Sequence, residues 1–167
     1  DLIVAVKAGV KPTLSSTQMT FKHKMSRIVI DVTNESGFDI TNIVIKGAVG
    51  TGVLDPATGN FTAKADAEAS DLIANTATAN KVYYALLVPQ NGVKLMVTVT
   101  TADGKKRTQT LGTADFKSGE NRRMECNVQP ADIEVKFSGP ITGWVDGDDL
   151  LPDGEGEVET PTVEWGG

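Results

Sequence analysis

The amino-acid sequence predicts an all-β protein with the architecture of an antiparallel β-sandwich. Runs in which apolar and polar residues alternate recur along the chain and are bounded by Gly, Pro, Asn and Asp, which is typical of strands joined by turns. Helical periodicity is hard to find, and 167 residues with 40% apolar content are enough to bury one ordinary core. We expect about seven to nine strands in one domain.

Strand character begins at the first residue, in DLIVAVK, and returns at residues 19–32, MTFKHKMSRIVIDV. In this second stretch the apolar residues occupy odd positions and then even ones: Met19 and Phe21, followed by Ile28, Ile30 and Val32. Side chains of a strand alternate between two faces, so one strand cannot change parity and keep a single buried face. We therefore expect an extra residue or a turn between His23 and Ile28.

The next stretches differ sharply in their strand signal. ITNIVIKG, residues 40–47, predicts a strand that points Ile43 and Ile45 to one face. Residues 50–80 are instead rich in Ala, Thr, Gly and Asp. Apart from a weak strand near Phe61, we expect a long solvated loop there, with a short helix in ADAEASDLIA as the alternative.

Two apolar strands follow the predicted loop. KVYYALLVP, residues 81–89, is apolar on both faces and stops at Pro89, as a central strand covered on both sides does. VKLMVTVT, residues 93–100, predicts the most regular strand of the chain. Its apolar residues share one face: Val93, Leu95, Val97 and Val99.

A tight hairpin is predicted next. Asp103 and Gly104 form a dipeptide that accepts positive φ at a tight hairpin turn. KKRTQTL, residues 105–111, should therefore return antiparallel to its predecessor. Because it is almost wholly polar, we expect an exposed edge strand whose charges discourage pairing with other chains.

NRRMECNV and ADIEVKFSG are the last predicted strands, and Pro130 separates them. Alternate residues of the second strand point inward: Ile133, Val135 and Phe137. In the first strand, Cys126 shares a face with Met124 and Val128. This position favours a small core residue over a reactive thiol.

Composition divides the chain into three parts. Residues 1–18 read as a strand and linker that enter from a preceding domain absent from this sequence. Residues 19–145 hold the predicted sandwich. Residues 146–167 are acidic, bear Gly and Pro, and are poor in core residues, which predicts a tail.

Charge and residue content argue against several kinds of function. The net charge is −6 with basic residues dispersed among acidic ones, so we expect no nucleic-acid partner. His23 is the single histidine and Cys126 the single cysteine, which argues against a His/Cys metal site. A Ser/His/Asp arrangement of Ser26, His23 and Asp31 is disfavoured because a strand would separate these side chains. We predict neither an enzyme nor a bound cofactor.

Three features together carry a family likeness: the opening DLIVAV, the stretch MTFKHKMSRIVIDV, and the close ADIEVKFSGPITGWVDG. With them the chain resembles the second, C-terminal half of a fimbrillin-like protein of the Bacteroides group, a class that includes major and minor fimbrial subunits and their Mfa-like relatives. The likeness covers residues 1–147. The matching positions are Asp1, Leu2, Ala5, Phe21, His23, Ser26, Ile28, Ile141 and Trp144.

The resemblance implies a transthyretin-like, Greek-key sandwich in which the strand bends or bulges at HKMS. The chain would then contribute to the core before and after the bend, and a hydrogen bond of His23 would anchor it. By resemblance, Trp144 is the buried closing residue of the domain. Family members also carry a lipobox cysteine and a first sandwich domain, and neither is in this sequence.

The resemblance further implies a structural or accessory subunit of cell-surface fimbriae, located at the outer membrane and bound to it only through a lipid anchor outside this chain. Related fimbrillins resemble proteins that assemble by strand complementation, with other pilin subunits or copies of themselves as partners. The candidate assembly residues are Leu2, Val4, Pro161, Val163 and Trp165. The alternative is a surface adhesin that binds glycan or host protein through the sandwich loops.

Overall fold

Thirteen strands form two facing sheets and two small two-stranded sheets in the computed structural model, which describes residues 1–9 and 19–144. In chain order the strands are β1 (Ile3–Val4), β2 (Lys22–His23), β3 (Ser26–Asn34), β4 (Ile40–Val49), β5 (Gly52–Asp55), β6 (Asn60–Ala63), β7 (Ala69–Ile73), β8 (Asn75–Thr78), β9 (Val82–Leu87), β10 (Gln90–Thr101), β11 (Lys106–Phe116), β12 (Glu120–Val128) and β13 (Ile133–Gly143). No helix occurs in these ranges, and the all-β prediction is confirmed with more strands than expected.

The two large sheets make the sandwich. The four-stranded sheet has the order β11-β10-β4-β7, and the five-stranded sheet has the order β13-β12-β3-β9-β8. The pairs β1–β2 and β5–β6 form the small sheets. The pairing of β3 with β12 is parallel, whereas the other pairs are antiparallel.

The core lies between the two large sheets and is filled by alternate residues of their strands. The predicted inward faces of β4 and β10 are confirmed, since their apolar residues are almost completely buried: Ile43, Ile45, Val93, Leu95, Val97 and Val99. From the facing sheet, β3 contributes Ile28 and Ile30, and β12 contributes Met124, Cys126 and Val128. Burial of these side chains is the main favourable contribution to folding.

The hairpin between β10 and β11 forms at the predicted turn, where Gly104 has a φ of +80°. β11 is the outermost strand of its sheet, as expected from its polar sequence. Arg107 departs from that expectation because its side chain is buried. Its guanidinium donates hydrogen bonds to Thr101 Oγ1 and to the Pro130 carbonyl, both at 2.8 Å, and these bonds compensate for lost hydration.

Two expectations about the middle of the chain are wrong. The weak strand near Phe61 is confirmed as β6, but residues 50–80 hold three further strands, β5, β7 and β8, in place of a long loop. The ADAEASDLIA segment is partly strand and nowhere helical. β9 is flanked by β3 and β8, but its second face, with Val82, Tyr84 and Leu86, is only half-buried. The strands β7 and β8 are held by pairing with β4 and β9, so alternation within their own sequence does not reveal them.

The predicted interruption between His23 and Ile28 lies at Lys24 and Met25, between β2 and β3. Among the described strands, β2 pairs with β1, whereas β3 pairs with β9 and β12. The chain therefore changes sheets here instead of bulging within one strand. Met19 and Phe21 are 45% and 65% exposed, so the residues before the break do not enter the core, contrary to expectation.

Replacing Leu95 by Ala should lower the free energy of unfolding by about 2 to 5 kcal/mol, because the buried side chain leaves a cavity between the sheets. The neighbouring Lys94→Ala variant, whose side chain points to solvent, should change it by less than about 0.5 kcal/mol. Urea unfolding followed by circular dichroism measures both. Equal effects of the two variants would contradict the face assignment of β10.

Candidate functional site

Residues from four separate parts of the sequence meet at one end of the sandwich, and we call this group the junction cluster: Asp1, His23, Arg27, Asn121 and Trp144. His23 Nδ1 donates a hydrogen bond to the Asp1 carboxylate. The imidazole also stacks on the Trp144 ring, with centroids 4.2 Å apart and planes inclined by 7°. The cluster thereby ties the N-terminal segment and the end of β13 to the break before β3.

Arg27 and Asn121 supply the buried polar part of the junction cluster. They lie opposite each other where β3 and β12 pair, and they are only 5% and 3% exposed. Arg27 Nε donates to Asn121 Oδ1 at 2.8 Å, and Asn121 Nδ2 donates to the Gly143 carbonyl at 3.2 Å. The Arg27 guanidinium carbon also lies 4.8 Å from the centroid of the Trp144 ring, which is cation–π geometry.

Backbone hydrogen bonds at the β11–β12 turn hold the same end together. The Gly119 amide donates to the Met25 carbonyl at 3.0 Å, and the Gly119 carbonyl accepts from the Trp144 amide at 2.7 Å. Gly119 has a φ of +70°, and a Cβ there would lie 3.1 Å from the His23 carbonyl oxygen. Glycine suits this position because a side chain would be strained and crowded.

The structure distributes the sequence-predicted motif residues unevenly. His23 and Trp144 meet, the Ser26 hydroxyl donates to the Glu120 carbonyl at 3.3 Å, and Ile28 is in the core. Phe21 and Ile141 are instead 65% and 48% exposed and are not brought into the cluster. Trp144 itself is half-buried, where the family likeness implied a buried residue.

The predicted assembly residues are also separated from each other. Leu2 and Val4 are half-buried in the N-terminal segment. The Leu2 carbonyl accepts a hydrogen bond from the Lys24 amide at 2.8 Å, and Val4 lies against Gly59 in the β5–β6 turn. Pro161, Val163 and Trp165 lie outside the described residues.

The buried pair Arg27 and Asn121 was missed by sequence reasoning. A charged and an amide residue at the starts of two strands resemble ordinary surface residues. Only the parallel pairing of β3 with β12 places them side by side, and no local signal predicts that pairing.

One side of the sandwich is closed by a glutamine. The Gln109 side chain on β11 donates to the Val135 carbonyl at 2.9 Å and accepts from the Val135 amide at 2.6 Å. The amide group thus occupies the place that a neighbouring strand would take beside β13. It bridges the outermost strands of the two sheets and leaves the backbone of Val135 paired.

Where β3 ends, away from the junction cluster at its start, the loop after β3 lines an open groove of about 590 Å³. Phe38 lies in this groove with half of its side chain exposed, close to Asn34 and Asn80. Asn80 Oδ1 accepts a hydrogen bond from the Ile40 amide at 2.7 Å, and Asn80 Nδ2 donates one to the Asp39 carboxylate at 2.8 Å. These bonds hold the residues that line the groove in place.

Metal-ligand groups and the single thiol are two kinds of reactive feature that the described residues could supply. Groups of three or more His, Cys, Asp or Glu residues placed to hold a metal ion are not found there. Burial raises the pKa of the Cys126 thiol from 9.0 to about 11, so the thiol stays protonated at neutral pH. Within the described ranges, no helix has the length and apolar character needed to cross a membrane.

Comparison with known proteins places this geometry among related sequences and folds. The sequence model of a family described as fimbrillin-like matches residues 1–144. Among curated proteins, none matches the chain in sequence.

Two solved structures share the fold. One is a proposed cell adhesion protein from Bacteroides ovatus, with a TM-score of 0.60 and 21% identity over 78% of this chain and 49% of that one. The other, from Bacteroides uniformis, is likewise a proposed cell adhesion protein, with a TM-score of 0.63 and 14% identity over 77% of this chain and 54% of that one. This chain therefore spans about half the length of the structures it matches.

Replacing Asn121 by Ala should lower the free energy of unfolding by about 2 kcal/mol, because the buried Arg27 loses a hydrogen-bond acceptor. The exposed Asn91→Ala variant serves as the control and should change it by less than about 0.5 kcal/mol. In a Trp165→Phe background, tryptophan emission reports on Trp144 alone and should shift to the red in the Asn121 variant. An unshifted spectrum with unchanged stability would contradict the role assigned to Asn121.

The Cys126 thiol should resist a thiol reagent in the native protein at pH 8 and react after unfolding in urea. Its pKa is raised from 9.0 to about 11, so the unfolded chain loses the proton first and the free energy of unfolding falls as pH rises through that window. A Cys126→Ala variant should lack this component of the pH dependence. Rapid labelling of the native protein would contradict the assigned burial.

Proposed function

The chain belongs to the fimbrillin-like family, whose sequence model matches residues 1–144, and we propose that it is a structural or accessory subunit of cell-surface fimbriae. In this proposal it acts in assembly and adhesion through contacts between protein strands, and not through catalysis. The single observation that supports the proposal most strongly is the family match, which spans all of the described residues.

The fold is suited to this role because both large sheets end in strands whose outer backbone groups can pair with another chain. Partners would be other fimbrial subunits or copies of this chain. Leu2 directly precedes β1 and Val4 lies in it, and only two residues of β1 are paired, so this segment is held by few backbone bonds and can exchange partners. Pro161, Val163 and Trp165 are the candidates for a strand donated to a neighbour.

We place the protein at the cell surface, in fimbriae attached to the outer membrane. In this proposal attachment depends on a lipid anchor outside the given sequence, and a preceding domain joins residues 1–18. The described N-terminal segment suits such a connection, since Asp1 is bound to the sandwich through His23.

A second candidate function is adhesion to a glycan or host protein through the loops. The groove beside Phe38 supports it, since an exposed aromatic ring next to asparagine side chains can stack on a ligand and hydrogen-bond to it. The two structurally similar Bacteroides proteins are proposed cell adhesion proteins. Binding to a glycan array that is lost in a Phe38→Ala variant would favour this function.

Antibodies against the chain should label the surface of intact cells of the source bacterium and the fimbriae sheared from them. Absence of the protein from sheared fimbriae would contradict the proposal.

A Val163→Asp variant should enter fimbriae less well, because a charge at an inward position of a donated strand would be buried. Thr162→Asp, one residue away on the opposite face, is the matched control and should enter like the wild type. Quantitative immunoblots of sheared fimbriae measure both variants. Equal incorporation would remove the donor role from the tail and leave the subunit role intact.

A further inference from the structure

One side of the sandwich is lined by a single stretch of chain that belongs to both large sheets. β7 is the outermost strand of the four-stranded sheet, and β8 is the outermost strand of the five-stranded sheet. Ala74 alone separates them; it is 7% exposed, and its amide donates to the Ile43 carbonyl at 2.9 Å. Residues 69–78 therefore form one strand that changes sheets at a buried corner.

The outer side of this stretch presents an unpaired row of backbone groups. In an outermost strand, alternate amide and carbonyl groups point away from the sheet and can template another strand. Over residues 1–9 and 19–144, no strand pairs with the outer side of β7 or β8. We call residues 69–78 the open edge.

The opposite side of the sandwich is protected, and the open edge is not. There, the Gln109 side chain pairs with the Val135 backbone, and β11 begins within a run of three consecutive basic residues at 105–107. The open edge has the sequence ASDLIANTAT, which contains one charged residue and no proline. That charge, Asp71, is paired with Lys46 at 2.8 Å. Charges and prolines are the usual means of preventing edge pairing, so the two sides differ in their capacity to accept a strand.

The side chains of the open edge also favour a protein contact. Ile73 is 67% exposed, and it lies opposite Val44 on the outer face of the sheet. All four residues of β8 are exposed and uncharged. A strand added along β7 would cover Ile73, and one added along β8 would meet only uncharged side chains.

We propose that the occupant of the open edge is the same edge of a second copy of this chain, with β8 paired antiparallel to β8 across a twofold axis. Because β8 carries no charge, pairing with its own copy places no like charges opposite each other. A twofold contact uses the same surface on both partners, so both open edges are satisfied at once. The inference rests on the proposed function, for which it names one surface of contact between subunits.

The test compares the same substitution on the two sides of the sandwich. Thr76 in β8 and Thr110 in β11 are both exposed threonines on outermost strands. Sedimentation of the wild-type chain over a concentration series should show a monomer–dimer equilibrium. Thr76→Lys should raise the dimer dissociation constant tenfold or more, and Thr110→Lys should leave it unchanged. A monomeric wild type, or equal effects of both variants, would overturn the proposal.

Cross-linking provides a measurement that does not depend on the stability of the lysine variants. In a Cys126→Ala background, Thr76→Cys should form an intermolecular disulfide under mild oxidation, and Thr110→Cys should not. Circular dichroism checks that each variant retains its fold. Absence of cross-linking by Thr76→Cys, in a variant that is folded, would count against the pairing of β8 with its copy.

Comparison with the fimbrial experiment separates the two proposals. If the chain is found in sheared fimbriae while Thr76→Lys dimerises like the wild type, the open edge is not the contact and the subunit role stands. If the wild type dimerises through Thr76 while the protein is absent from fimbriae, the contact stands and the subunit role fails.

Discussion

The structure depends on one layer of apolar side chains held between two sheets. Ile43 and Ile45 from one sheet and Ile28 and Ile30 from the other are completely buried in it. Because side chains of a strand alternate, these positions fix which residues face outward and which strands must be neighbours. Each sheet also has two outermost strands. These four strands differ in whether their outward backbone groups have partners within the molecule.

The junction cluster provides partners for a buried charged side chain at one end of the sandwich. The start of β3 is buried on both faces, with Ile28 toward the core and Arg27 toward the end of β13. A buried guanidinium is tolerated because Asn121 accepts from it and the Trp144 ring contacts it. The stacked motif residues His23 and Trp144 therefore link the break before β3 to the residue that follows β13.

The outermost strands on the two sides of the sandwich are connected in different ways. On one side the Gln109 amide substitutes for a strand and joins β11 to β13, while on the other the chain itself crosses between the sheets at Ala74. The first arrangement satisfies the outward backbone groups of Val135, in the outermost strand β13, within the molecule. The second leaves a continuous row of outer backbone groups, which suits the proposed contacts with other protein chains.

Local alternation in the sequence determined the faces of β4, β10 and β12, the hairpin at Gly104, and the burial of Cys126, because period-two patterns and turn dipeptides act over a few neighbouring residues. The break after His23 followed from parity in the same way. Tertiary structure alone decided that residues 69–78 form strands, that β3 runs parallel to β12, and that His23 stacks on Trp144. Those features depend on partners far away in the chain, and the residues next to a strand in sequence do not determine which distant strand pairs with it.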